Sequence, residues 1–537
     1  MKREKFNLID CTLRDGGYYN NWEFTRELVV DYLNAMELAE VDYVELGLRN
    51  FDSGKFHGPY YYTTDNYLNT LNLSKSLKYA VMVNASELMG YKEGCVKAVD
   101  ALFVEASNSA ISLVRVACHF SEITLIKDAL KALKAKGYQL GLNLMQISDR
   151  TLDEIGQFTY IAHECNVDVV YFADSTGSLL NKDVKGIVEA IKKDWAGGIG
   201  IHAHNNMGHA LSNSLVAISL GATWVDSTVM GMGRGPGNLE TENILLAAMG
   251  DEFDQRTISP VLKIINKYFQ KMKSYYGWGQ NPYYYLSGKY GIHPTYIQEM
   301  LSDKRYDEGE ILATINYLKS RNSKKFAKDT LTMGRYFYSG APLGTWRPRD
   351  YISGKDVLLI GSGDSVRLHS DGIEAYIKLK NPIVIALNDQ SSISPEFIDY
   401  RAVCHPFRLT SNISSLAKYG GELVIPYTQL FENKRNVFSA RKFLDFGVSI
   451  RGDQFEYFDY FANIPAPLAV GYALAIASSG NANHIYLAGF DGYDYEDPRF
   501  KEMEMLLMAY AKSSGSVNIT SITATKYKIA QSSIYAT

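Results

Sequence analysis

The chain has 537 residues, of which 46% are hydrophobic and 21% are charged, and its formal net charge is −4. One hydrophobic core rarely organises a chain of this length, so we expect two or three domains. The small net charge gives no indication of a nucleic-acid partner, and no apolar run approaches the roughly 20 residues that span a bilayer.

Cysteine usage indicates a reduced protein. The cysteines are scattered, and none forms a C-x-x-C pair of the kind that binds zinc or cycles as a disulfide. The first residues, 1–7, carry charges without the apolar core of a secretory signal, so we expect a cytoplasmic location. The five cysteines are Cys11, Cys95, Cys118, Cys165 and Cys404.

Short apolar runs rich in β-branched residues recur over the first 230 residues, and stretches with helical periodicity separate them. Such alternation predicts a parallel sheet. Eight units in about 250 residues predict a (β/α)8 TIM barrel over residues 1–250. The alternative is an open doubly wound sheet, which more often has a glycine-rich turn after its first strand. The predicted strands are Asn7–Cys11, Asp42–Leu48, Tyr79–Asn84, Ser112–Cys118, Gln139–Gln146, Val169–Ala173, Gly200–His204 and Trp224–Met230.

Polar residues at the ends of the first and seventh predicted strands suggest a metal site. His202 and His204 are two residues apart on one strand, so their side chains point to the same face. In a closed barrel only the eighth strand separates strands one and seven, so Asp15 can reach the same point. Two imidazoles and one carboxylate leave positions open for a substrate, as a catalytic site requires. The alternative is that the histidines simply fill the barrel mouth.

Several motifs together resemble one superfamily. Residues 10–16 read D-C-T-L-R-D-G, residues 202–208 read H-A-H-N-N-M-G, and residues 231–240 read G-M-G-R-G-P-G-N-L-E. These resemble the motifs of the DRE-TIM metallolyases, which include 3-hydroxy-3-methylglutaryl-CoA lyase, 4-hydroxy-2-oxovalerate aldolase and isopropylmalate synthase. The resemblance implies Mg2+ or Mn2+ bound by Asp15, His202 and His204, with Asn238 as a further ligand.

The resemblance also implies a reaction, in which a carbon–carbon bond beside a 2-oxo acid such as pyruvate is made or broken. Arg14 would stabilise the enolate oxygen, and Glu45 and Asp174 match supporting positions at the ends of strands two and six. An acyl-CoA-dependent Claisen condensation is the alternative within the same superfamily.

Two departures from the family pattern leave the acid–base group and the substrate open. The aldolases have a histidine three residues after the motif aspartate, where this chain has Tyr18. The CoA lyases have a cysteine in the glycine loop, and residues 231–238 contain none. Tyr18, Tyr19, His209 or a metal-bound water could act instead.

Residues 251–350 change to helical periodicity and end in a stretch rich in glycine and proline at 338–350. We predict a helical extension followed by a linker. The extension could cover the barrel mouth or build a homodimer.

Residues 351–537 predict a second, Rossmann-like open α/β domain. Gly361, Gly363 and Ser365 form a turn between a strand and a helix, which suits an anion, although Val366 replaces the third glycine of G-x-G-x-x-G. Asn388 and Asp491 end later strands, so all five residues are predicted to lie at one edge of the sheet and to bind a nucleotide.

This domain faintly resembles bacterial sialyltransferases and proteins related to pterin pyrophosphokinases, through residues 360–365, 386–388 and 485–493. The resemblance implies a nucleotide or nucleotide-sugar ligand and suggests a place in surface-glycan biosynthesis. An alternative of another class is a glycosyl or nucleotidyl transferase in which the barrel is a scaffold.

Overall fold

The computed structural model describes residues 6–249, 254–303, 306, 308–320, 323–324, 326–327, 342–405, 420–430, 442–451 and 454–536. The chain divides into two compact units. The first consists of Met1–Glu299 with Leu318–Phe326, and the second of Met300–Tyr317 with Ala327–Thr537.

The first unit is built on a closed barrel of eight parallel strands, in which β1 pairs with both β2 and β8. The predicted (β/α)8 barrel is confirmed. The last strand is shorter than predicted because the chain leaves the barrel after Ser227 and enters the glycine loop. The strands are β1 (Asn7–Asp10), β2 (Tyr43–Leu48), β3 (Lys78–Asn84), β4 (Ile111–Cys118), β5 (Gln139–Leu144), β6 (Val169–Asp174), β7 (Gly198–Ala203) and β8 (Trp224–Ser227).

Helices follow the strands and cover the barrel with apolar faces. The first helix begins directly after β1, so the D-C-T-L-R-D-G motif is a strand end and a helix start rather than a loop. These helices are α1 (Thr12–Asn20), α2 (Arg26–Leu38), α3 (Pro59–Tyr62), α4 (Asp65–Leu68), α5 (Ala85–Met89), α6 (Cys95–Leu102), α7 (Lys127–Ala135), α8 (Leu152–Glu164), α9 (Asn181–Asp194), α10 (Ala210–Ser219) and α11 (Thr241–Ala248).

The barrel interior changes from apolar to charged along its axis. Its apolar layer includes the Tyr171 ring, which packs against Gly200. A Cβ on Gly200 would lie only 2.2 Å from that ring, so glycine permits the contact. At the carboxyl end the inward positions are charged, with Glu45, Arg115 and Asp226 all fully buried. Barrel active sites are built at this end. The apolar layer consists of Ile9, Cys11, Tyr43, Ala80, Leu113, Val169, Tyr171 and Trp224.

Further helices follow the barrel in sequence, and Trp278 and Gly279, which lie between two of them, hold the loop after β8. The Trp278 indole is buried and donates to the backbone oxygen of Met230 at 3.0 Å, and Gly279 N donates to Gly235 O at 2.9 Å. These elements are α12 (Gln255–Ile264), a π-helical turn (Ile265–Phe269), α13 (Gln270–Tyr276), α14 (Pro282–Tyr290), α15 (Pro294–Ser302) and α16 (Glu308–Ser320).

The second unit contains an open parallel sheet of eight strands in the order β13-β12-β11-β10-β9-β17-β18-β19, and a small sheet in the order β14-β16-β15. The predicted second α/β domain is confirmed as a parallel-sheet unit. Residues 338–341 of the predicted linker, and 328–337 of the predicted helical extension, lie outside the described residues. The strands are β9 (Asp356–Ile360), β10 (Ile383–Leu387), β11 (Tyr400–Ala402), β12 (Glu422–Ile425), β13 (Phe443–Asp445), β14 (Gly447–Ile450), β15 (Glu456–Tyr457), β16 (Phe461–Ile464), β17 (His484–Ala488), β18 (Ile519–Ser521) and β19 (Ala530–Gln531).

One helix of this unit is buried almost all round, because its small and aliphatic residues pack into the core. In the part of the chain that is described, no helix combines the length and apolarity needed to cross a membrane. The helices are α17 (Arg349–Ile352), α18 (Asp364–Leu368), α19 (Ser370–Lys380), α20 (Ala469–Ser479), which is the buried one, and α21 (Pro498–Lys512).

Candidate active site

Arg14 and Asp15 lie in the first turn of α1 and are buried at the carboxyl end of the barrel. Arg14 donates from Nε to Glu45 Oε2 at 2.8 Å and from Nη1 to the Asp15 carboxylate. Its Nη2 is buried and has no hydrogen-bond partner among the described residues. Since a guanidinium keeps its proton, Nη2 is a fixed positive donor that a ligand could use.

Asp15 is also held by the loop that follows β8. Asn238 Nδ2 donates to Asp15 Oδ2 at 2.7 Å, and His202 Nε2 lies 3.6 Å from the same oxygen. Burial alone would raise the pKa of Asp15, but the Arg14 guanidinium and His202 outweigh it and lower that pKa below its usual value. Asp15 is therefore a carboxylate, the form that binds a cation.

The two histidines are oriented by acceptors behind their rings. His202 Nδ1 lies 2.9 Å from Asp226 Oδ2, and His204 Nδ1 lies 3.2 Å from the backbone oxygen of Ser175. Acceptors at Nδ1 keep the proton there and leave Nε2 as the ligating nitrogen. Burial, followed by the neighbouring His202, lowers the pKa of His204 to about 3, so this imidazole is neutral.

Asn238 stands beside His204 because the glycine loop turns sharply. The two residues form an isolated antiparallel bridge, and Asn205 N donates to Gly237 O at 2.8 Å. Gly237 has a φ of 77°, and a Cβ there would lie 2.4 Å from the backbone oxygen of Gly231. The Oδ1 atom of Asn238 is buried without a hydrogen-bond partner among the described residues.

These donors fit a divalent cation that accepts oxygen and imidazole ligands, such as Mg2+ or Mn2+. The buried, unpartnered Oδ1 of Asn238 and the two Nδ1-anchored imidazoles are the observations that favour this fit. In the described part of the chain, no three His, Cys, Asp or Glu side chains are close enough to hold an ion as they stand. In this arrangement the Asp15 carboxylate accepts hydrogen bonds from Arg14 and Asn238.

Buried charges connect the arginine half of the site to the histidine half. Arg115 of β4 donates from Nη1 to Glu45 Oε1 at 3.3 Å and from Nη2 to the Asp226 carboxylate. Its Cζ lies 4.1 Å from the centroid of the Tyr171 ring. Glu45 is also the partner of Arg14, so one continuous network fixes both groups.

Asp226 is a functional residue that the sequence did not single out. It is the acceptor behind His202. The signal was available, since Trp224 and Asp226 share the inward face of β8, and a carboxylate facing a barrel interior needs a partner.

Asp174 lies at the end of β6 and serves the following turn. Its Oδ1 accepts from Ser178 N at 3.0 Å and its Oδ2 from Leu179 N at 3.1 Å. Burial raises the pKa of Asp174 to about 6, although these backbone donors oppose the change. Ser175, whose backbone oxygen lies beside His204 Nδ1, belongs to the same turn. Asp174 therefore supports the position of His204 indirectly, by holding this turn.

The three acid–base candidates have different surroundings. The Tyr19 hydroxyl accepts from Gly235 N at 2.9 Å, and burial raises its pKa to about 12. The Tyr18 hydroxyl has no hydrogen bond to the described residues, and its ring lies under the Arg234 guanidinium, with Cζ 3.5 Å from the centroid. His209 lies directly before α10. Tyr19 is therefore engaged in holding the glycine loop, whereas the Tyr18 ring packs between Arg234 and the Trp22 ring, whose centroid lies 4.7 Å away.

In the second unit, a cavity of about 530 Å³ lies at the carboxyl ends of the strands. Strand order reverses at β9, between β10 and β17, and such reversal points are where open α/β sheets bind ligands. Four of the five residues predicted for a nucleotide site line this cavity, namely Gly361, Gly363, Asn388 and Asp491.

The fifth residue, Ser365, is not among the lining residues. Its backbone N donates to Asp491 Oδ2 at 2.8 Å, and its hydroxyl donates to the same carboxylate. A Cβ on Gly363 would lie 2.7 Å from Asp491 Cγ, so glycine permits this approach. The Asp491 carboxylate thus accepts the hydrogen bonds of Ser365, one of the residues predicted to bind a nucleotide.

The fold and site together define a class of protein. A (β/α)8 barrel with a buried arginine, a carboxylate and two oriented histidines at its carboxyl end has the architecture of a metal-dependent carbon–carbon lyase. The chain belongs to the HMGL-like family, whose model matches residues 5–263.

The chain is similar in sequence to two enzymes of known name and has a weaker likeness to one solved structure. A 4-hydroxy-2-oxovalerate aldolase from Geobacillus genomosp. 3 is 30% identical over 254 residues, which cover 47% of this chain and 73% of the relative. An oxaloacetate decarboxylase from Mycobacterium tuberculosis is 27% identical over 245 residues, which cover 45% and 69%. The solved HMG-CoA lyase of Bacillus subtilis aligns with a TM-score of 0.41 at 16% identity, covering 52% of this chain and 97% of that one.

Proposed function

We propose that the barrel cleaves or forms the carbon–carbon bond of a 4-hydroxy-2-oxo acid, with a 2-oxo acid such as pyruvate as one product or substrate. The observation that carries the proposal is the convergence of Arg14 Nη2, Asn238 Oδ1 and two Nδ1-anchored imidazoles at one end of the barrel. A divalent ion bound by Asp15, His202, His204 and Asn238 would supply Lewis acidity to the oxygens of the 2-oxo acid.

The chain's own groups account for the rest of the chemistry. Arg14 presents a fixed N–H where negative charge develops on the enolate oxygen, and Glu45 keeps that guanidinium in place. Tyr18 is the acid–base candidate, because its hydroxyl is unused by the described residues whereas that of Tyr19 is engaged. Asp174 and Asp226 are positioning residues for His204 and His202.

The test is a cleavage assay on a series of 4-hydroxy-2-oxo acids, with the products identified. Activity should be lost in EDTA and restored by Mg2+ or Mn2+, and Asp15→Asn should abolish it while the circular dichroism spectrum stays unchanged. Turnover that continues undiminished in chelator would rule the mechanism out. Release of free CoA from an acyl-CoA with a 2-oxo acid would instead support the Claisen alternative.

We also propose that the cavity of the second unit binds a nucleotide or nucleotide sugar. Its position at the reversal point of the strand order supports this proposal, as do Asn388 and Asp491 on its wall. Asp491 holds Ser365, so the phosphates should lie elsewhere in the cavity. Isothermal titration with nucleoside mono- and diphosphates and their sugar conjugates tests the proposal, and no heat with any of them would contradict it.

A further inference from the structure

Arg234, in the glycine loop after β8, is a half-buried cation without a counter-ion. Its side chain forms no ion pair and donates no hydrogen bond within the described part of the chain, and its one recorded side-chain contact is the Tyr18 ring 3.5 Å from Cζ. The more deeply buried arginines of the barrel all have carboxylate partners. Arg14 and Arg115 bind Glu45, and Arg49 binds Asp65 at 2.8 Å.

The backbone that carries Arg234 is fastened from three directions, so its position is set by the fold. Gly235 N donates to the Tyr19 hydroxyl at 2.9 Å, Gly279 N donates to Gly235 O at 2.9 Å, and Gly237 N donates to Arg234 O at 3.1 Å. A guanidinium held in this way above an aromatic ring presents its N–H edge to the space beside the ring.

That space adjoins the proposed reaction centre and has positive character. Gly233, the residue before Arg234, packs against the side chain of Asn238, since a Cβ on Gly233 would lie 2.6 Å from Asn238 Nδ2. Arg234 also acts on His293, whose pKa is lowered to about 4 by burial first and then by Arg234 and His119. His293 Nδ1 accepts from Thr295 N at 3.3 Å, so the neutral ring carries its proton on Nε2 and is a second donor.

Burying a cation without a partner is costly, and the cost is recovered when an anion binds with charge-assisted hydrogen bonds. Five guanidinium N–H groups in a planar fork suit a carboxylate or a phosphate group. The proposed reaction centre uses Arg14 for the 2-oxo acid, so an anion at Arg234 belongs to the other part of the substrate.

We propose that Arg234 forms a second anion subsite, which binds a carboxylate or phosphate on the aldehyde that combines with the 2-oxo acid. The inference rests on the proposed function and narrows its substrate class to acidic aldehydes. In cleavage, the C3–C4 bond breaks and its electron pair forms the enolate. The 4-hydroxyl loses its proton to a base and becomes the aldehyde carbonyl, and the enolate then takes a proton at C3.

The experiment measures condensation of pyruvate with two matched pairs of aldehydes, with Mg2+ or Mn2+ present. The pairs are butanal with succinic semialdehyde, and glyceraldehyde with glyceraldehyde 3-phosphate. We expect the wild type to prefer the anionic member of at least one pair, and the pair shows which anion is accepted. In Arg234→Gln the ratio of anionic to neutral kcat/KM should fall about 10–100-fold, as expected for losing hydrogen bonds to a charged group.

The ratio does not depend on the fraction of folded enzyme, so it stays meaningful if the variant is less stable. Arg234→Lys should retain part of the preference because it keeps the charge but not the fork. Arg256→Gln, in α12 on the exposed surface, is the matched control and should leave the ratio unchanged. An unchanged ratio in Arg234→Gln would overturn the subsite.

A second measurement separates this inference from the proposed function. Deuterium exchange at C3 of pyruvate, in wild-type enzyme with metal and no aldehyde, reports the enolate step alone. Absence of exchange would contradict the proposed function. Exchange without any preference for anionic aldehydes would leave that function intact and overturn the subsite at Arg234.

Discussion

The two units place polar side chains at the carboxyl ends of parallel strands, but they use them differently. In the barrel, Arg115 joins Glu45 to Asp226, and these carboxylates hold Arg14 and His202. In the second unit, Asp491 is satisfied by the backbone and hydroxyl of Ser365 in the adjacent turn. The barrel network joins several strands and orients Arg14 and His202 toward the same end of the barrel. The hydrogen bonds of Asp491 hold only the turn that contains Ser365.

The difference bears on what each unit can do. The barrel network leaves Arg14 Nη2 and Asn238 Oδ1 buried and unused, which is costly unless a ligand binds there. The cavity of the second unit also has such an atom in its wall, since Asn388 Oδ1 is buried without a hydrogen-bond partner among the described residues. No buried arginine and histidine pair comparable to Arg14 and His202 lines this cavity in the described part of the chain. Four predictions test this contrast.

Arg115→Met should have the largest effect on stability. Removing the guanidinium takes one cationic partner from Glu45, which keeps Arg14, and leaves Asp226 with His202 alone among the described residues. Breaking buried ion pairs in this way costs about 3–5 kcal/mol. Urea unfolding followed by tryptophan fluorescence measures the change, since Trp22, Trp195, Trp224 and Trp278 all lie in the first unit.

The control for that variant is Arg150→Met, whose partner Glu154 lies nearer the surface. We expect a loss of less than about 1 kcal/mol. Equal losses in the two variants would show that the barrel network has no special role in stability.

Asp226→Asn should weaken metal binding about 10–100-fold, the usual cost of altering the acceptor behind a ligating histidine. His202 would lose the negative charge that orients its ring. Isothermal titration with Mn2+ measures the affinity. Asp100→Asn, on the exposed face of α6, should bind as the wild type does. Unaltered affinity in Asp226→Asn would argue against His202 as a ligand.

Glu242→Gln should change how stability depends on pH. Burial raises the pKa of Glu242 from 4.5 to about 7, and Met230 N donates to its carboxyl group at 3.0 Å. The folded protein therefore holds this proton more tightly than the unfolded chain, so stability is fully present below pH 4.5 and falls as pH rises to about 7.

The glutamine keeps the acceptor but cannot ionise. Relative to the wild type it should gain about 3 kcal/mol at pH 8 and little at pH 4.5. Urea titrations at the two pH values measure the difference, and an equal gain at both would contradict the assignment to Glu242.

Asp491→Asn should have the smallest effect, because the side chain of Asp491 accepts hydrogen bonds from one residue only among those described, Ser365. Loss of the charge weakens two hydrogen bonds from Ser365 and should cost the second unit about 1–2 kcal/mol. Hydrogen exchange of the Ser365 amide measures the change. A loss as large as that in Arg115→Met would remove the contrast between the two units.

Much of the barrel could be predicted from the sequence, since strands that are buried on both faces and separated by amphipathic helices leave a strong pattern. The pairing of Asp15 with His202 and His204 followed from strand order alone. Residues whose role depends on distant partners could not be found in this way. The sequence does not distinguish Arg115 from Arg234. The fold shows that Arg115 pairs with two carboxylates, whereas Arg234 forms no ion pair with the described residues.

The glycine turn in the second unit shows how a distant side chain changes the surroundings that a local pattern indicates, while the nucleotide site predicted there stays a prediction. A strand, a glycine turn and a helix suggested free backbone donors at Ser365. The chain that supplies Asp491 lies 126 residues further on, and its carboxylate takes those donors. Local sequence cannot show which distant side chain fills a turn.

The central claim is that the barrel generates the enolate of a 2-oxo acid with the help of a divalent ion. Pyruvate in deuterium oxide, followed by proton NMR at the methyl group, tests it without assuming an aldehyde partner. We predict exchange with Mg2+ or Mn2+ that stops in EDTA and in Asp15→Asn. Exchange that persists in EDTA, or none with either metal, would contradict the account.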